Sequence, residues 1–196
     1  MSDPAQHQPG AGQTGQVSLY NIANWLTFAR IVLVPLVVIG LVAGGTGWRL
    51  VALAAFGVAS VTDLLDGRLA RSRGLVTDFG KIADPVADKA LTGAALICLS
   101  ALGELPWWVT TVIMVRELGV TLLRFWVIRR GVIAASRGGK VKTVLQIFAI
   151  CLYILPWGNA GARDVVMGAA LVVTVVTGFD YVLRAIRLRR GEEAAQ

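Results

Sequence analysis

Long apolar stretches separated by short polar ones dominate this chain. Runs at about 22–44, 48–70, 84–103, 106–127, 142–157 and 164–186 are of, or close to, the length that crosses a bilayer as a helix. The pattern predicts six helices, the fifth short because Pro156 ends it. Aspartates interrupt the second and third runs, and a charge in an apolar helix is costly unless something pairs with it. The stretch "DLLDGRLARSRGLVTDFGKIADPVADK", residues 63 to 89, is where this conflict concentrates.

Composition supports the membrane reading. Of 196 residues 56% are hydrophobic and only 16% charged, which is too little polar surface for a soluble domain of this length. The expected class is an all-α integral membrane protein with six transmembrane helices. Residues 1–18, rich in Gly, Gln, Pro and Ser, read as a disordered tail without the basic and apolar regions of a signal peptide. Residues 19–190 form one membrane domain, and 191–196 a second short tail.

Charge sets the orientation. Arg68, Arg71, Arg73, Lys81 and Lys89, then Arg129, Arg130, Arg137, Lys140 and Lys142, and finally Arg184, Arg187, Arg189 and Arg190 all fall on one side. Only Arg49, Glu104, Arg163 and Asp164 fall on the other, so both termini are expected in the cytoplasm. The net charge of +7 then belongs mostly to a cytoplasmic face suited to anionic lipid and phosphorylated substrates, and argues little for nucleic acid.

Other residue types narrow the chemistry. His7 is the one histidine and lies in the tail, so histidine catalysis is excluded. Cys98 and Cys151 occupy different helices and read as small packing residues. Gly40, Gly44, Gly45 and Gly93 are expected at close helix contacts, and Trp107 and Trp108 as interfacial anchors.

Asp63 and Asp66 are three apart and Asp84 and Asp88 four apart, so each pair shares one face of a helix. If the second and third helices pack as antiparallel neighbours, four carboxylates converge near the cytoplasmic edge and demand a cation. An all-oxygen site without histidine or thiolate favours Mg²⁺ or Mn²⁺, and four acids suggest two ions with a diphosphate supplying further oxygens. Gly67 and Ala70 keep the surface beside Asp66 low, and Gly80 does so one turn before Asp84. Asp78 is expected in a solvated connection. The competing reading places Asp63 and Asp66 at a helix end and pairs Asp84 and Asp88 with Arg71, Arg73, Lys81 or Lys89.

With its gaps the stretch is Asp63-x2-Asp66-Gly67-x2-Ala70-Arg71-x8-Gly80-x3-Asp84-x3-Asp88. It resembles the signature of the CDP-alcohol phosphotransferase family, six-helix membrane enzymes that move a phosphatidyl-type group from a CDP-linked lipid to an alcohol and release CMP. The resemblance extends over roughly residues 20–190 and implies an active site near the cytoplasmic side of a bacterial plasma membrane. It implies that Asp63, Asp66 and Asp84 hold the metal against the CDP diphosphate, and that Asp88 lies near metal and takes the acceptor's proton. It further implies that Gly67, Ala70, Arg71 and Gly80 border the CDP moiety, together with Asp63 and Asp66, and that the chain forms a homodimer.

Basic residues outside the motif bear on the acceptor. Arg124 can reach inward from a helix end, while Lys140 sits beside glycines at a helix start, both suited to an anion. Arg116 and Arg137 join them as candidates, although Arg116 with Glu117 reads equally well as a structural pair. Within the family, Asn24, Thr27, Arg30, Arg116, Glu117, Gly139, Lys140, Lys142, Thr143 and Gln146 resemble the branch that joins CDP-diacylglycerol to sn-glycerol 3-phosphate. An inositol phosphate or phosphatidylglycerol acceptor is the alternative. A divalent-cation transporter is the rival class, weakened by the lack of a polar path on the far side. Asp180 could pair with Arg184 or line the donor groove.

Overall fold

The computed structural model describes the backbone of residues 22–73, 78–127 and 137–193, and the side chains of 28–63, 86–87, 89–123 and 138–187. Among the described residues six helices follow in order: α1 (Ile22–Ala43), α2 (Gly45–Arg73), α3 (Asp78–Ala101), α4 (Trp107–Val127), α5 (Arg137–Ile154) and α6 (Ala160–Glu193). The turns joining α1 to α2, α3 to α4 and α5 to α6 gather at one end of the bundle, hereafter the turn end.

Local chemistry explains the helix boundaries at this end. Gly44 and Gly45, with φ of 68° and 73°, make the left-handed turn between α1 and α2. They have open space around them, so the expectation that they serve close packing is corrected, whereas Gly40 fulfils it. A Cβ on Gly40 would lie 2.7 Å from the Trp48 carbonyl oxygen and 2.9 Å from Ala52 Cβ, so α1 and α2 cross at near backbone contact. α3 ends in a Schellman motif: Gly103 has φ of 74° and donates to Ser100, while Glu104 N donates to Leu99 O at 3.0 Å. α5 stops at Ile154 because Leu155 precedes Pro156.

α6 starts at Ala160, before the expected position, because the Asn159 side chain caps it by accepting from Ala162 N at 3.1 Å. Hydropathy misses this turn, since Arg163 and Asp164 mask a helix start that a cap defines. α5 begins at Arg137 and α3 at Asp78, both within segments read as polar connections. Asp78 therefore opens a helix, and α6 continues beyond the expected tail boundary to Glu193.

The core runs along the bundle axis. Val37 and Leu41 of α1, Phe56 of α2, Leu96 and Leu99 of α3, Ile113 of α4, Ile150 of α5 and Met167 of α6 are all buried within it. Outward-facing residues are also apolar, including Val42, Val115, Leu122, Val165, Val172 and Phe179, an arrangement that suits lipid and not water. Ala160–Arg187 is one helix stretch long and apolar enough to cross a membrane, with mean hydropathy 1.9. Among the described residues it alone meets that criterion; the apolar parts of α1 and α3, Phe28–Ala43 and Lys89–Ala101, are shorter.

α1 packs against both α2 and α3, whereas the described parts of α2 and α3 touch only sparsely. In the described part of the bundle α1 thus joins α2 and α3 into a three-helix group, while the motif-bearing ends of α2 and α3, where the antiparallel pairing was expected, lie outside the described side chains. Arg30 of α1 reaches the second helix for this reason.

Candidate functional site

Away from the turn end, four helices frame a cleft lined by Ser60 and Asp63 of α2, Lys89 of α3, Glu117 of α4, and Lys142 and Gln146 of α5. Each charged residue interrupts an apolar helix, and each solves its burial by pairing across to another helix.

Asp63 lies on one wall. Its Oδ1 is 2.9 Å from Nη1 of Arg30, a guanidinium whose side chain is only 1% exposed, while the Asp63 side chain keeps 29% exposure. Asp63 is thereby anchored to α1 while it lines the cleft.

Glu117 forms the other wall and is 4% exposed. Lys89 Nζ donates to its Oε2 at 2.6 Å, and Arg116 Nη1 donates to Oε1 at 3.1 Å. Lys142 Nζ also donates to Oε1. Three cations around one carboxylate offset the several kcal/mol that burying such an ion costs, and leave the cluster with excess positive charge.

Arg116 is committed elsewhere as well. Its Nε donates to Thr174 O at 3.1 Å and its Nη2 to Thr177 Oγ1 at 2.9 Å, both on α6. Gly178 makes room for this stem, since a Cβ there would lie 3.0 Å from Arg116 Cγ. The Arg116–Glu117 pair thus braces α4 against α6, the structural role that the sequence had left level with a ligand role.

Among the other predicted residues, Asp66, Gly67, Ala70 and Arg71 continue α2, and Gly80, Asp84 and Asp88 belong to α3. Arg124 belongs to α4 and Arg137 opens α5. The side chains of all these lie outside the described residues. Lys140, in the first turn of α5, is exposed, whereas Lys142 two residues on is buried in the cleft. Lys89 pairs with Glu117, a partner the competing reading of the acids did not include. Asp180 pairs with Arg184 at 3.0 Å on the exposed side of α6.

The residues that sequence reasoning underused are Arg30, Lys89 and Lys142. Each carried the available signal, a charge inside an apolar run, but its partner lies on a distant part of the chain.

The family model for CDP-alcohol phosphatidyltransferase matches residues 20–176. A protein of Mycobacterium tuberculosis (strain ATCC 25618 / H37Rv), "Probable phosphatidylglycerophosphate synthase", is 53% identical over 186 residues, covering 92% of this chain and 89% of the relative. A Bacillus subtilis (strain 168) protein, "CDP-diacylglycerol--glycerol-3-phosphate 3-phosphatidyltransferase", is 40% identical over 181 residues, covering 83% and 94%. A Rickettsia felis protein of the same name is 34% identical over 168 residues, covering 82% and 93%.

Proposed function

This chain belongs to the CDP-alcohol phosphatidyltransferase family and is an enzyme of that type, and from that membership we propose that it transfers the phosphatidyl group of CDP-diacylglycerol to sn-glycerol 3-phosphate. The products are phosphatidylglycerophosphate and CMP. The observation that carries the acceptor assignment is the cleft itself, lined by Asp63 and by Lys89 and Lys142 around the single buried Glu117. Such excess positive charge suits an acceptor bearing its own phosphate. The names of the relatives support the same acceptor.

Asp63 and Asp66 of α2 with Asp84 and Asp88 of α3 would supply an all-oxygen donor set, a chemistry that fits two hard divalent ions, Mg²⁺ or Mn²⁺. When bound, these ions neutralise charge on the diphosphate. Asp88 takes the proton from the attacking hydroxyl of glycerol 3-phosphate. The new bond forms at the phosphatidyl phosphorus as its bond to CMP breaks, and CMP leaves with the electron pair. Gly67, Ala70, Arg71 and Gly80 border the CDP moiety. Arg124, Arg137 and Lys140 bind the acceptor phosphate, with Arg116 held back as a brace.

The chain functions as a six-span protein of the bacterial plasma membrane, with both termini and the site on the cytoplasmic side among anionic lipids, and as a homodimer. The outward apolar faces and the Lys and Arg distribution support this placement.

The test is CMP release by purified protein supplied with CDP-diacylglycerol and Mg²⁺, comparing sn-glycerol 3-phosphate, inositol 1-phosphate, free inositol and phosphatidylglycerol. Release with glycerol 3-phosphate alone is expected. Release with another acceptor alone would reassign the basic residues, and metal uptake into liposomes without any CMP release would favour a transporter.

A further inference from the structure

Glu117 lies outside the eight-residue motif, yet its carboxylate joins four helices. It belongs to α4, receives Lys89 from α3 and Lys142 from α5, and shares Arg116 with α6. Both oxygens are occupied, Oε1 by two cations and Oε2 by one, so it has little capacity left to ligate metal or substrate. Lys89 directly follows Asp88, and neighbouring helix positions are about 100° and 1.5 Å apart. Whatever holds Lys89 therefore fixes the rotation of α3 at that turn.

We infer that Glu117 is a positioning residue: by bridging Lys89 to Lys142 it sets the rotation of α3 at Asp88, and so the geometry of the acidic face toward a divalent cation. The inference rests on the proposed reading of that face as a cation site. A 20° rotation of a helix displaces a group about 6 Å from its axis by roughly 2 Å, which is as long as a Mg²⁺–oxygen bond. Small divalent ions tolerate little such error. The ion pair opposes it because rotation would draw Lys89 away from Glu117, which at 4% exposure cannot be rehydrated in its place.

The experiment measures equilibrium Mn²⁺ binding by electron paramagnetic resonance, without substrate, on the full chain in detergent. Wild type is compared with Glu117→Gln, Glu117→Asp, Lys89→Gln and, as a control for general loosening, Arg49→Gln at the turn end. Disturbing a group that orients ligands typically weakens metal binding by about 10- to 100-fold. Glu117→Gln and Lys89→Gln should weaken Mn²⁺ binding by at least about tenfold. Glu117→Asp, which keeps the charge but shortens its reach, should recover part of the loss. Arg49→Gln should lower the melting temperature and leave Mn²⁺ affinity unchanged. Should Glu117→Gln fail to fold, Glu117→Asp and Lys89→Gln decide the matter.

Affinities within about twofold of wild type in the folded Glu117 and Lys89 variants would overturn the inference alone, a factor worth under about 0.5 kcal/mol. A wild-type chain that binds no Mn²⁺ would overturn the cation site and this inference with it. Neither result depends on which alcohol is the acceptor.

Discussion

Asp63 and Glu117 show two ways of keeping a carboxylate in an apolar helix. Asp63 pairs with Arg30 and lines the cleft at 29% exposure, whereas Glu117 is surrounded by cations. Arg30→Met leaves Asp63 without that partner and should destabilise the protein by about 2–4 kcal/mol, toward the lower part of the usual range because Asp63 is 29% exposed. Denaturation in detergent tests this, and a change below about 0.5 kcal/mol would show that the pair is dispensable. Asp88→Asn and Asp66→Asn should each lower kcat by at least about 100-fold with the fold retained, as loss of a base or metal ligand requires. Normal turnover in both would remove the acidic face from the mechanism. The need for acids and the presence of Arg30 and Glu117 as intramembrane charges were legible in the residues. Their partners were not, because an ion pair between helices depends on how the helices are rotated.

At the scale of helices, the apolar runs located all six, and the errors lay at the ends. Hydropathy records where a helix is apolar, while caps and turns decide where it starts and stops. The Asn159 cap and the Schellman turn at Gly103 are both local hydrogen-bond events that a hydropathy window averages away. The turn at Gly103 also carries Glu104 to Arg49. Gly40 controls the crossing of α1 and α2, and thereby the position of Arg30 against Asp63. Gly40→Leu should cost about 1–3 kcal/mol or more, because the backbone of α2 stands in the way. It should also lower turnover at temperatures where the variant remains folded. Equal melting temperatures and rates for variant and wild type would show that α1 and α2 can separate without consequence.

For the whole molecule, the bundle is tied at both ends by charges from different helices. At the turn end Arg49 makes a bidentate pair with Glu104, at 2.6 and 2.7 Å, and donates to the carbonyl oxygens of Tyr153 and Ile154 at the end of α5. Tyr153 in turn donates to Asp164 Oδ1 at 2.6 Å, and Arg163 stacks 4.8 Å from the Tyr153 ring centre. Arg49→Ala should therefore lower the melting temperature through the loss of about 2–4 kcal/mol, while CMP release persists below the transition. A variant that melts like wild type would show that this end is held by apolar packing alone. Removal of divalent ions with EDTA should abolish CMP release, and Mg²⁺ or Mn²⁺ should restore it. Full activity in EDTA would contradict the proposed use of the aspartates.

The amino-acid sequence by itself determined the helical class, the six helices found among the described residues, the apolar exterior and the family, because each follows from composition, periodicity or fixed spacing along one helix. Asp63 and Asp66 share a face whatever surrounds them, since three residues nearly complete a turn. The tertiary structure alone decided that α1 packs against both α2 and α3, that Arg30 answers Asp63, and that Lys89, Lys142 and Arg116 converge on Glu117. These contacts join separate helices, and their geometry depends on crossing position and rotation. Small residues such as Gly40 and Gly178 set those quantities through shape rather than through any pattern of polarity.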